Sequence, residues 1–305
     1  MINSCSCFRS EARRGCNDSG VYRGDNYNTI YNLIGHTSDR KPADLFRRTV
    51  GALYLTHLLQ RMTSFFGDAC SQNSNDAHLI ASLLLRHLQS FPCNAHEVSE
   101  LRLDRRNVAE SVSVEVGAAI YGALSLFNHS CDPMVTRHFY GDTCVVRTVR
   151  PVARGAELSD NYGAVFAVQA RTERQAKLRS QYYFECQCVA CANDWPLYPS
   201  IPHKTPTLIC RSDVTESACT ACSVASDEVE SRRLFALATE KYQFALKKLL
   251  LSDVKESIRN FTKALTLFLG CVRLPWRDFN NAQEGLKQCY NIEGNVYLLP
   301  DTKKQ

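Results

Sequence analysis

Two groups of side chains hold the chemistry this sequence could perform. The first is Asn128, His129 and Cys131 within the run "SLFNHSCDPMVTRHFY"; the second is Cys186, Cys188 and Cys191, spaced C-x-C-x2-C. Three thiolates on one tight loop can converge on a single ion, but tetrahedral zinc takes four ligands, so the fourth must come from elsewhere. The competing reading is three reduced structural thiols, since buried cysteine behaves as a small apolar residue. Fifteen cysteines, an odd total, fit bound metal better than cross-links in a reducing compartment. Cys210, Cys219 and Cys222 look like half of a second metal site, with Asp213 where a thiol would be wanted, and Cys5, Cys7 and Cys16 like remnants of a zinc finger. Asn128 offers both a donor and an acceptor. With His129 it could form a buried polar pair, a hydrolase dyad or a cofactor clamp. A Cys131–His129 catalytic dyad is not expected, because adjacent side chains of an extended chain point to opposite faces and such pairs normally meet through the fold.

Three motifs follow in order: "NHSCDP", "RGAELSDNYG" and "RSQYYFECQCVAC". In that order they resemble the SET-domain methyltransferases, and specifically the SET-and-MYND family, over Tyr31 to roughly Tyr297. The runs "CANDWPLYP" and "LPWRDFNNAQEGLKQCYNIEGNVY" are most similar to the family's fourth, tetratricopeptide-associated member. The resemblance implies protein-lysine N-methylation with S-adenosylmethionine as donor, on a histone or non-histone protein. It implies that Asn128, His129, Tyr162 and Phe184 contact the cofactor, that Tyr162 is catalytic, and that Cys131 completes a zinc site with Cys186, Cys188 and Cys191. On that reading the asparagine and histidine face the cofactor while the cysteine faces the metal.

The chemistry is consistent with those roles. Methyl transfer from a sulfonium to an amine is an in-line displacement, so a site must align both groups and deliver the lysine uncharged, which a desolvated aromatic channel favours. Tyr162 and Tyr182 suit such a channel: aromatic faces attract a cationic donor, and a tyrosine hydroxyl can orient the amine lone pair. The sequence departs from the family pattern at Met134, where the motif continues with asparagine. Neither the Gly-rich strand pair nor the MYND finger that opens family members is found before Tyr31, so the chain is expected to be an N-terminally shortened relative with weakened cofactor binding. The alternative function is a non-catalytic, zinc-stabilised protein-interaction module whose C-terminal helices grip a partner peptide.

The elements that must position these residues are legible as a change of pattern along the chain. Residues 1–40 show no sustained period and read as irregular. A helical insert is expected over 41–110. Its first helix has Pro42 in the opening turn, Phe46, Val50, Leu53, Leu58 and Phe65 at helical spacing, and Gly67 at its end; its second is capped by Asp76, carries Ile80, Leu84, Leu88 and Phe91 on one face, and stops at Pro92. A β core follows over 111–163, where "VTRHFY" and "CVVRTV" flank a Gly141–Asp142 turn. A post-SET zinc segment over 164–195 opens with a polar helix. The Pro-bearing "DWPLYPSIPHKTP" reads as a linker into a C-terminal array over 196–305 of three amphipathic, TPR-like helices. The fold class is therefore α+β.

At 34.4 kDa and 45% hydrophobic the chain can bury a real core. Its formal charge of +5 comes without a basic block, so direct nucleic-acid binding is not expected. The opening residues lack a signal-peptide h-region and no apolar run is long enough to span a membrane, which points to the cytoplasm or nucleus.

Overall fold

The computed structural model describes residues 22, 24, 26–67, 74–104, 111–209 and 224–298. Cys5, Cys7, Cys16, Cys210, Cys219 and Cys222, read as finger remnant and second metal site, lie outside them. The fold is α+β, and it divides into two units that interleave along the chain. One comprises Met1–His96, Ala118–Leu126 and Arg179–Phe184; the other comprises Glu97–Gly117, Phe127–Leu178 and Glu185–Gln305.

The first unit contains helices α1 (Tyr27–Tyr31), α2 (Pro42–Met62) and α3 (Ser74–Asn94). Pro42 occupies the first helical position of α2, where its fixed φ suits a helix and its missing N–H costs nothing. The apolar spacing located this helix but not its buried face. Phe46, Val50, Leu53 and Phe65 are exposed, while Ala52 and Thr56 are buried. Small residues let α2 approach α3, and a Cβ added at Gly51 would lie 3.6 Å from Leu88. Two boundaries of α3 also differ from expectation. It begins at Ser74, so Asp76 sits in the first turn, where a carboxylate favours the helix dipole, and it continues through Pro92 to Asn94. Pro92 cannot donate to the Leu88 carbonyl, but Arg48 Nη1 does so, and Arg40 Nη2 donates to Gln89 O at 2.5 Å. Two arginines of the preceding segment thus satisfy the helix end that the proline would otherwise spoil.

The helical insert expected to reach residue 110 gives way at Ala95 to strand β1 (Ala95–Leu103). Within the second unit β1 is the middle of a three-stranded sheet, between β2 (Val112–Ile120) and β7 (Val296–Leu298). The pairing with β7 is parallel, Leu101 opposite Val296 and Leu103 opposite Leu298. Two short strands, β3 (Asn128–His129) and β6 (Ser159–Asp160), pair in parallel, and β4 (Val135–Tyr140) and β5 (Thr143–Thr148) form the expected hairpin. Gly141 takes φ 60° at its turn, and Asn295 brackets that glycine, accepting from its N–H at 2.8 Å and donating to its carbonyl at 3.1 Å.

Helix α4 (Arg171–Tyr182) and the single turn α5 (Val189–Ala192) flank the C-x-C-x2-C segment. The proline-bearing stretch after them does not continue the α-helix, as expected, but it holds a 3-10 turn at Tyr198–Ser200 and it packs: Trp195 and Ile201 are buried, and Trp195 meets Phe166 edge-on at 5.0 Å. Helices α6 (Val224–Leu250), α7 (Val254–Leu269) and α8 (Arg277–Glu293) enclose a core around Phe261, Leu265, Phe268, Trp276 and Leu286.

Candidate functional site

Cys131 follows β3, and Cys186, Cys188 and Cys191 come from the turn after α4 and from α5. Their four Sγ atoms all lie within 4.8 Å of one another. Cys131 Sγ is 3.5 Å from Cys191 Sγ and 4.0 Å from Cys186 Sγ. Zinc–sulfur bonds of about 2.3 Å in a tetrahedron place sulfurs roughly 3.8 Å apart, so this spacing suits one ion. The sulfurs already share protons. Hydrogen bonds from the Cys131 and Cys186 thiols, with further help from the Cys131 backbone, hold Cys188 far below the ordinary thiol range. Cys131 is pushed far up by its bonds to Cys186 and Cys188 and by burial. Cys186 rises to about 11, because Cys131 lowers it by less than Cys188 and burial raise it. A divalent cation would replace those shared protons.

Two residues of α4 complete this arrangement, and the sequence reading assigned neither. Gln175, buried, accepts from Cys186 N–H at 2.9 Å and donates to Cys186 O at 2.7 Å, which fixes the backbone of one of the four cysteines. Arg174 is fully buried; it donates to Gln169 O at 2.6 Å and to Cys191 Sγ at 3.6 Å, while its Nε finds no partner. Burial opposes its charge, but Cys191 and Cys131 more than restore it. A buried guanidinium needs an anion, and four thiolates around a divalent ion carry two net negative charges. The donor set, its spacing and this cation all fit zinc.

His129 sits between the thiols and the expected cofactor residues. Tyr162 N–H donates to its Nδ1 at 3.1 Å, so Nδ1 is bare and the ring proton lies on Nε2, which is 3.4 Å from Cys131 Sγ. The expectation that histidine and cysteine point apart is corrected here. They are two positions apart, and an extended chain returns to the same face with period two. Burial lowers the His129 pKa to about 4, with Cys188 opposing and Arg174 and Lys177 assisting, so the imidazole is neutral at neutral pH. Tyr162 packs on this ring at 5.2 Å, and its hydroxyl donates to Phe127 O at 2.5 Å. A phenol that donates its proton in this way can still accept a hydrogen bond at oxygen. Asn128 is exposed, its Nδ2 donating to Glu157 at 2.5 Å.

The segment carrying Tyr162 is held by polar residues that the sequence reading also passed over. Ser130 N–H donates to Asp160 O at 2.8 Å; Asn161 Nδ2 reaches Ser130 O at 2.9 Å and Ala164 O at 3.0 Å. Asp160, nearly fully buried, pairs with Arg137 at 2.5 Å. Burial raises its pKa while Arg137 pulls it back. The signal for these residues is the polar "SDN" ahead of Tyr162, unusual for a strand entering a core. The structure thus brings Asn128, His129, Cys131, Tyr162 and the three downstream cysteines into one unit. Tyr182 and Phe184, both half-buried, belong to the other unit.

Comparison with known proteins gives these residues a context. The SET-domain family model matches residues 12–163. Protein-lysine N-methyltransferase SMYD4 of Mus musculus is 27% identical over 92% of this chain and 37% of its own length. The Homo sapiens protein of the same name is 29% identical over 59% of this chain and 24% of its length. Histone-lysine N-methyltransferase SMYD3 of Mus musculus is 42% identical over 25% of this chain and 18% of its length. The chain therefore spans well under half the length of these relatives.

Proposed function

From the premise that this chain belongs to the SET-and-MYND family, we propose that it methylates a lysine of a protein substrate, histone or non-histone, using S-adenosylmethionine and a structural zinc ion. The observation that carries this reading is His129, which joins Tyr162 on one nitrogen to Cys131 on the other. Metal ligation and the orientation of the catalytic tyrosine are then a single mechanical problem, solved by one neutral imidazole.

When bound, S-adenosylmethionine supplies a methyl group activated by a sulfonium. Asn128 and His129 contact it, with Phe184 a further contact residue; the Asn128 carbonyl oxygen is an acceptor available to it. Tyr162 acts on the lysine. Its hydroxyl, donating to Phe127 O, can accept an N–H of the incoming amine and aim the nitrogen lone pair, while its ring favours the cationic donor. Cys131, Cys186, Cys188 and Cys191 hold zinc, positioned by Gln175 and balanced by Arg174. Such a thiolate site suits the reducing cytoplasm or nucleus. No helix among the described residues is long and apolar enough to cross a membrane. The α6–α8 array is the element assigned to gripping a partner peptide.

Titration calorimetry with S-adenosylmethionine, paired with methyl transfer to lysine peptides, tests the proposal. Tyr162→Phe should retain binding within about threefold and lose about a hundredfold or more in turnover, the scale of one preorganised hydrogen-bonding group. Absence of cofactor binding by the wild-type chain at millimolar concentration would overturn the enzyme and leave a zinc-stabilised interaction module.

A further inference from the structure

We propose that His36, Arg40 and Tyr183 form a positioning clamp that fixes the backbone between Tyr182 and Phe184. The inference rests on the reading above, in which Phe184 is a cofactor-contact residue. Tyr183 is the first residue after α4 and takes φ 60°, in the left-handed region. Helix ends commonly need a left-handed residue there, and glycine fills that position without a steric penalty. A tyrosine is a conformational outlier, and such outliers persist only where their surroundings over-determine them.

The surroundings do so, and they include a second outlier. His36, also left-handed at φ 52°, stacks its ring on Tyr183 with centroids 4.8 Å apart and planes at 30°. Its Nδ1 lies 3.2 Å from Asp39 Oδ2. Arg40, buried, donates Nε to Gly35 O at 2.8 Å and Nη1 to the Tyr183 hydroxyl at 3.3 Å, with its guanidinium carbon 5.5 Å from the tyrosine ring centroid. Its Nη1 also reaches Asp44 at 2.9 Å and its Nη2 reaches Gln89 O, so the arginine cannot swing away cheaply. Two residues before Tyr183, Gln181 Nε2 donates to Pro92 O at 3.1 Å and the Gln181 backbone carbonyl accepts from Cys93 Sγ at 3.3 Å. Two distant stretches, 36–40 and 92–93, therefore converge on one turn of backbone. If that turn had only to end a helix, glycine would serve; the tyrosine supplies the ring and hydroxyl by which the turn is gripped. The φ of residue 183 sets the relative directions of the side chains on either side of it, Tyr182 and Phe184.

The test separates positioning from bulk stability. Three quantities are measured on the full chain: S-adenosylmethionine affinity by calorimetry, melting temperature, and hydrogen exchange of the amides of residues 182–185. Tyr183→Gly removes the grip and the strain together. It should hold the melting temperature close to wild type while weakening cofactor binding about tenfold, as small misplacements of contact groups do, and accelerating exchange at 182–185. Tyr183→Phe keeps the ring but loses the hydroxyl that Arg40 holds, and should fall between wild type and Tyr183→Gly in affinity and exchange. Wild-type affinity and exchange in Tyr183→Gly would overturn the clamp, as would affinity falling only in proportion to melting temperature. If the wild-type chain does not bind the cofactor, the methyltransferase reading fails and exchange alone judges the clamp: acceleration in Tyr183→Gly sustains it and unchanged rates overturn it.

Discussion

Gln175 is the side chain whose role at the cysteine cluster is easiest to isolate, because both its contacts go to the backbone of Cys186. Gln175→Ala leaves a buried N–H and C=O unpaired, which should cost about 1–3 kcal/mol of stability. Zinc affinity should fall roughly 10–100-fold, as for other outer-shell partners. Chelator competition and denaturant melts on the same sample check both figures. His138 makes a different prediction. Both its nitrogens are buried without a partner while its ring packs against Tyr290 and Tyr140. Burial, then Arg147, lowers its pKa below the usual 6.5, against a smaller opposing effect of Glu293. The unfolded chain therefore takes up this proton first, and stability should be lost as pH falls below about 6.5. His87, lowered by burial and Arg86, acts in the same direction. His138→Phe should flatten the decline without abolishing it; an unchanged slope of melting temperature against pH would count against a buried neutral imidazole. The four clustered cysteines were readable from spacing and resemblance, whereas Gln175 and Arg174 were not, since a glutamine and an arginine on a polar helix look like solvated residues until the fold buries them.

Among the elements, α8 meets α7 tightly at Gly285, where an added Cβ would lie 2.5 Å from Phe261 Cζ and 2.9 Å from two further ring carbons. Phe261 is fully buried. Gly285→Ala should destabilise the array by about 1–3 kcal/mol through overpacking, despite alanine's better helix propensity. Thermal melts decide the sign: a gain would mean that the ring can move. The end of α3 gives a second case. Arg48→Met removes the donor to the Leu88 carbonyl, which Pro92 cannot replace, and should cost about 1–2 kcal/mol, read from urea melts. Helix existence was legible here from apolar period, and the hairpin from its Gly-Asp turn. The passage through Pro92 was not, because the arginines that permit it, Arg48 on α2 and Arg40 just before it, lie outside any local window. Nor was the burial of α2, whose conspicuous apolar stripe is exposed and whose small residues are buried.

At the scale of the molecule, zinc should be structural for the whole second unit. Purified chain should carry about one equivalent, and Cys188→Ser should lose metal and melting temperature together, because Arg174 would be left buried without its anion. Full zinc retention in that variant would contradict the four-cysteine site. The C-terminal helices share this unit with the β strands, through the β7–β1 pairing and the Asn295 bracket around Gly141. Removal of residues 295–298 should therefore loosen the β4–β5 turn, visible as faster amide exchange at 140–143. What the sequence by itself determined was the order of motifs, the elements with a clear period and the chemistry of the thiols, since each depends on residue type and short-range spacing. The tertiary structure decided which chain stretches share a unit, which arginines and glutamines are buried, that His129 and Cys131 face each other, and that a tyrosine holds a left-handed turn. Those outcomes depend on desolvation and on contacts between residues far apart in sequence, where the penalty of an unpaired buried group selects the partner and no local pattern records it.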